Sequence, residues 1–212
     1  MRTSTVSRPI IAGANILSAV FSPLFVPAYC TALCFLETGM RTLPVSTRLT
    51  AFAVVLLLTA VIPLSSLYVL MKTGRISDLD VSDRRQRMLP IIIMVVCYMA
   101  CLGYIGAGHA PLWFIMYFVS GIVTALVLAA ITVFLKWKIS MHGAGMGNAI
   151  GMLLALWVNG YAEQPMPWLL TALLLITGLV ASSRVILNRH TLPQVFAGAM
   201  TAAFITFALM TI

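Results

Sequence analysis

Long apolar stretches alternate with short polar ones along this chain, and the apolar stretches have the length of a membrane span. Crossing a hydrocarbon core takes roughly 20 apolar residues wound as a helix, because every backbone N–H and C=O must find a partner inside the segment. Seven stretches meet or approach that length: residues 10–36, 49–71, 88–107, 112–135, 143–158, 168–187 and 192–212. The first contains Pro23 and Pro27 and is expected to kink or to turn back within the bilayer. The fifth is short and rich in glycine, which predicts close packing against its neighbours. Trp113, Trp137, Trp157 and Trp168 fall near the predicted span ends, where amphipathic rings anchor at the headgroups. The pattern predicts an all-α fold, a single polytopic transmembrane helix bundle over residues 1–212. Spans two to seven form a core over 49–212, and residues 10–36 add an N-terminal span.

Composition excludes the soluble alternatives. The 212 residues are 61% hydrophobic and only 8% charged, against about a quarter charged in soluble domains. The net charge is +8, from 13 Lys and Arg against 5 Asp and Glu. No basic run is paired with a soluble aromatic surface, so the expected partners are membrane lipids and phosphates rather than nucleic acid. Cys30, Cys34, Cys97 and Cys101 lie in helical pairs inside apolar runs and read as small buried hydrophobes, with no metal-ligand set and no cofactor motif beside them. The basic start of the chain continues into apolar sequence as far as Leu36 without a clear small-residue cleavage site, which reads as a retained span rather than a leader.

Threading the chain through seven spans sorts its connections onto two faces. Face A receives the N-terminus and residues 72–89, 136–142 and 188–191; face B receives 37–48, 108–111, 159–167 and the C-terminus. Arg2, Arg8, Lys72, Arg75, Arg84, Arg85, Arg87, Lys136, Lys138, Arg184 and Arg189 then gather on face A, and Arg41 and Arg48 alone on face B. The positive-inside rule makes face A cytoplasmic.

Three segments of face A carry residue types suited to phosphate chemistry. Asp83–Pro90 puts three arginines within four residues, with forked donors that match phosphate oxygens. Lys138, Ser140 and His142 open the fifth span, where free N–H groups favour an anion and an imidazole can move a proton near neutral pH. Arg184 lies inside the end of an apolar span and needs a partner there; His190 follows in the loop, and Gln194, four residues on, can hydrogen-bond its ring and fix a tautomer. Each segment alone also reads structurally, as a topology anchor or an interfacial histidine. Their convergence on one face is what points to a site.

With these residues in view, the chain resembles the type 2 phosphatidic acid phosphatase superfamily. That family carries Lys, six residues, Arg-Pro; then Pro-Ser-Gly-His; then Ser-Arg, five residues, His, three residues, Asp. Here Ser183-Arg184, five residues, His190, three residues, Gln194 has the spacing of the third motif, and Ile139-Ser140-Met141-His142 keeps the Ser and His of the second. Residues 83–90 stand where the first belongs, with only its proline and nearby arginines. The resemblance implies a six-helix core and a metal-independent lipid-phosphate phosphatase or phosphotransferase of the bacterial inner membrane. His190 would be the nucleophile forming a phosphohistidine and His142 the proton donor, while Arg184, Arg84, Arg87, Lys138 and Ser140 would hold the phosphoryl group. Phospholipid, polyprenyl phosphate and lipid A phosphate all remain open as substrates, and bacterial relatives in the superfamily commonly face the periplasm, opposite to the charge rule.

The chain departs from the family pattern in three places. Gln194 replaces an Asp, Met141 replaces a Gly, and the first motif lacks its Lys and Arg-Pro. Gln can orient His190 but brings no negative charge to stabilise an imidazolium, which predicts slower turnover. The alternative is a weak or inactive relative that binds anionic lipid or supports a membrane complex. A magnesium-dependent prenyltransferase, suggested by Asp78, Asp80 and Asp83, lacks a second acidic cluster. The three aspartates are instead expected to pair with adjacent arginines or to be solvated.

Overall fold

In a computed structural model, which describes residues 7–81, 83–163 and 167–212, the chain is an all-α bundle. Arg2 of the basic face lies outside the described residues. Eight helices run in chain order among those residues: α1 Arg8–Val20, α2 Val26–Glu37, α3 Val45–Lys72, α4 Met88–Ala107, α5 Leu112–Phe134, α6 Met141–Val158, α7 Pro167–Ile186 and α8 Leu192–Met210. The six from α3 to α8 are long and apolar enough to cross a membrane, so the protein is an integral membrane protein. Leucines, isoleucines and phenylalanines such as Ile16, Leu57, Phe134, Leu175 and Phe204 are exposed around the outside, where lipid is their solvent.

The first apolar stretch departs from the single span expected over 10–36. It is two short helices joined at residues 21–25. At 13 and 12 residues each is about 20 Å long or less, short of a hydrocarbon core of about 30 Å. Pro23 lies in the break and Pro27 occupies the first turn of α2, where its missing N–H costs no hydrogen bond. The break falls at the prolines from which a kink or a turn back was expected. The helix α3, by contrast, runs past its own proline. Pro63 would collide with the carbonyl four residues back, and the backbone answers with a π-turn over Leu57–Val61.

The centre of the bundle is α6 against α8. Gly143, Gly147 and Gly151 recur every four residues on one face of α6, and a Cβ built at any of them would collide with the carbonyl of Val195, Ala199 or Ala203 on α8. Gly198 of α8 presses in the same way on the carbonyl of Ser140. With no hydrophobic drive between helices in lipid, such backbone-to-backbone approach is what makes two helices adhere. Polar pairs add to it: Thr206 donates to Asn148 Oδ1 at 2.8 Å and shares a 3.0 Å hydrogen bond with Ser120 of α5. Toward face B the core is aromatic, with Phe114, Tyr117 and Phe118 of α5 buried against Phe35 of α2 and Tyr98 of α4. That end is closed by a stack of Trp113 on Tyr161 and an exposed Arg41–Glu163 pair.

Candidate functional site

The α7–α8 connection is a helix ending of a defined kind. Asn188 adopts a left-handed conformation (φ 54°), which Asn tolerates better than most residues. The Asn188 N–H then reaches the Val185 carbonyl and the Arg189 N–H the Arg184 carbonyl, at 2.9 and 3.0 Å, a Schellman ending. The His190 N–H also donates to the Arg184 carbonyl, at 3.2 Å. The same turn therefore fixes both the buried arginine at the end of α7 and the histidine beyond it.

Gln194, in the first turn of α8, accepts the Thr191 N–H on Oε1 at 3.1 Å, and His190 Nδ1 lies 3.1 Å from the same oxygen. A backbone N–H only donates, so the amide is fixed with its oxygen toward the turn. Nδ1 must then carry the proton, and Nε2 is left with its lone pair. His190 is buried, and burial lowers its pKa to about 3, helped by Arg87, Lys138 and Arg184. At neutral pH the ring is neutral, the form a nucleophile needs.

Ser140 caps the start of α6, accepting the Gly143 N–H on its hydroxyl, and the next turn presents His142. His142 Nε2 lies 3.1 Å from the Ser18 carbonyl and 3.2 Å from its hydroxyl. Since the carbonyl only accepts, Nε2 of the neutral ring carries the proton. Arg184 donates to that same Ser18 hydroxyl at 2.6 Å. A single serine of α1 thus ties together a residue of α6 and one of α7.

Asp80, in the connection between α3 and α4, completes the cluster. Its Oδ1 lies 3.0 Å from Arg184 Nη1, its Oδ2 3.3 Å from Arg189 Nε, and Asp78 approaches Arg189 at 3.8 Å. Burial opposes the charge on Asp80, but the guanidiniums of Arg184 and Arg189 outweigh it and hold the carboxyl below its usual range. These acids pair with arginines a hundred residues away rather than with the adjacent ones; of the three, Asp83 alone stays local, accepting the Arg85 N–H. The guanidinium of Arg184 is 2% exposed and its Nε has no hydrogen-bond partner among the described residues.

Both histidines, Ser18, Arg184, Arg189, Asp78 and Asp80 line one cleft of about 620 Å³. His142, Arg184, Arg189, His190, Arg87, Asp78 and Asp80 form its polar end, and Leu64, Leu67, Met71, Pro90 and Met94 of α3 and α4 form an apolar wall. Four of the eight residues singled out from sequence, His142, His190, Arg184 and Arg87, are therefore brought together, with Gln194 directly behind His190. Arg87 is engaged already: Nε donates to the Val81 carbonyl at 3.1 Å and Nη1 to the Ile139 carbonyl at 2.8 Å.

The other three are not in the lining. The Ser140 hydroxyl is fully buried as a helix cap. Lys138 donates to the Arg189 carbonyl at 2.8 Å and is lowered in pKa by burial, then by Arg87, Arg184 and Arg189. Arg84 sits on a short 3₁₀ turn at the mouth of α4. Sequence reasoning missed Ser18, although Asn15, Ser18 and Ser22 are a polar stripe at helical spacing and all three line the cleft.

The class of protein defined here is a polytopic helical membrane protein with a basic, two-histidine cleft at one end of its bundle. No family model, curated protein or solved structure matches the chain.

Proposed function

We propose that the cleft is the active site of a lipid-phosphate phosphatase or phosphotransferase working through a phosphohistidine, as the resemblance to the type 2 phosphatidic acid phosphatases implies. One observation carries the reading: His190 is buried and neutral, with Nδ1–H fixed on Gln194 and Nε2 unprotonated, in a cleft it shares with Arg184 and a second histidine. In the proposed reaction Nε2 attacks phosphorus and the P–O bond to the lipid breaks. His142, entering the step as the imidazolium, gives the leaving alkoxide a proton and is left neutral, and the attacking water later returns that proton. Arg184, whose Nε lacks a partner among the described residues, meets the charge that develops on the phosphoryl oxygens. Water then cleaves the phosphohistidine to release phosphate, or a second alcohol accepts the group. The apolar wall formed by Leu64, Leu67 and Met94 suits the chain of a lipid whose headgroup lies among the arginines.

The test is phosphate release from phosphatidate, phosphatidylglycerophosphate, polyprenyl phosphate and lipid A phosphate in detergent. Turnover should fall by about 10³-fold or more in His190→Ala. Equal rates for wild type and variant would remove His190 as nucleophile. Gln194 in place of an Asp, and a first motif without its Lys and Arg-Pro, favour a second reading, a site that holds an anionic headgroup without converting it. Gln194→Asp separates the two, since it restores the missing charge behind His190: activity in that variant supports the enzyme, and inactivity of both forms supports binding.

A further inference from the structure

The carboxylate of Asp80 stands where an incoming phosphoryl group must go. Arg184, the cation at the floor of the cleft, is 2% exposed, whereas the Asp80 side chain is 29% exposed. The acid thus covers the arginine from the open side, bridging Arg184 and Arg189. Its neighbour Val81 has φ 47°, a left-handed backbone that a β-branched residue adopts only under constraint. Arg87 holds the Val81 carbonyl at 3.1 Å, fastening the turn next to Asp80. Arg184 Nε, buried and without a partner among the described residues, is a donor the carboxylate leaves unmet.

A phosphodiester headgroup resembles this carboxylate: one negative charge shared by two unsubstituted oxygens. Exchanging one for the other gains little electrostatically. A phosphomonoester near neutral pH carries nearly two charges on three unsubstituted oxygens, enough to satisfy both arginines and the unmet Nε. Resting on the lipid-phosphate reading above, we infer that Asp80 is a specificity-determining residue, which keeps singly charged phosphodiester headgroups out of the arginine site and yields it to doubly charged phosphomonoesters. In a bilayer whose anionic lipids are largely diesters, an uncovered arginine pair would be permanently occupied.

The experiment uses the full chain in a neutral detergent at about pH 7.5, where the monoester is doubly charged. Dodecyl phosphate and its methyl ester, which share one tail and differ by one charge, are titrated calorimetrically into wild type, Asp80→Asn and Asp80→Ser. Wild type should bind the monoester about tenfold or more tightly than the diester, the scale of one charge-assisted hydrogen bond. In either variant the diester should gain about tenfold and the ratio should fall to roughly threefold or less. A wild-type protein that binds both probes alike overturns the filter while leaving the phosphate site standing, and that ratio decides even where a variant is not recovered folded. A variant that folds and keeps the wild-type ratio also overturns it. Failure of every form to bind either probe removes the phosphate site itself.

Discussion

The helix pair α6–α8 and the pair α1–α7 reach the same cleft but are held in different ways. Between α6 and α8 backbone lies on backbone, with α6 glycines at every fourth position against α8 carbonyls. Between α1 and α7 the polar link is one serine hydroxyl on one buried guanidinium. The first arrangement fixes His142 and Gln194 relative to each other. The second, together with the Asp80 connection, supplies contacts that a ligand can replace. His142 and the Gln194 that orients His190 thus sit on the part that cannot give, whereas Arg184 and the groups that cover it sit on the part that can.

The harshest way to break this comparison is Gly147→Val. Its Cβ would meet the Ala199 carbonyl and force the central seam apart. Overpacking of this kind costs about 3 kcal/mol, and more against backbone that cannot shift. The variant should be recovered in low yield with a melting temperature at least several degrees lower, read by a detergent thermal melt. A comparable change at the exposed Gly13 of α1, where nothing lies within 4 Å of the new Cβ, should leave that temperature nearly unchanged.

Acid sharpens the comparison next. The folded pKa of His190 is about 3, below the unfolded value of about 6.5. At pH 7 the ring is neutral in both states and contributes no pH dependence. As pH falls below about 6.5 the unfolded chain gains a proton that the folded one refuses, so stability should fall toward pH 3 by at most about 1.4 kcal/mol per pH unit. Denaturation midpoints measured from pH 7 to 4 should lose up to one proton of slope in His190→Asn.

A smaller effect is expected at Gln194→Ala. Loss of the oxygen shared by His190 Nδ1 and the Thr191 N–H should cost about 1 to 2 kcal/mol. It should also lower phosphate release about 10- to 100-fold by freeing the imidazole tautomer. Nitrogen chemical shifts of His190 would report the tautomer directly. The mildest change is Ser18→Ala, at about 1 kcal/mol. If it disturbed stability as much as Gly147→Val, the two halves would not differ in the way described.

Much of this architecture was legible in the chain. Spans of about 20 apolar residues can be only helices in lipid, so α3 to α8 fall within a few residues of the stretches read from hydropathy. The break in the first stretch was legible too, since Pro23 and Pro27 predicted a kink or a turn back; what apolar length concealed is that neither half is long enough to cross alone. In the site, the spacing from Arg184 through His190 to Gln194 was readable because a helix ending and a first turn are local. Asp80 was not, since its partners Arg184 and Arg189 are a hundred residues away and come near only when α3, α4 and α7 assemble. For the same reason nothing in the sequence distinguished Arg87, whose donors clasp two backbone carbonyls, from an arginine waiting for a ligand.

The shortness of α1 gives the cleft a mechanical connection to its surroundings. A helix of 13 residues that presents Ile10, Ile11 and Ile16 outward rides at a depth set by the thickness of the lipid around it, since mismatch costs a fraction of a kcal/mol per Å. Ser18, near its far end, touches both His142 and Arg184. If the cleft carries the proposed phosphatase activity, reconstitution into phosphatidylcholines of graded acyl length should tune phosphate release, and removing the Ser18 hydroxyl should flatten that response.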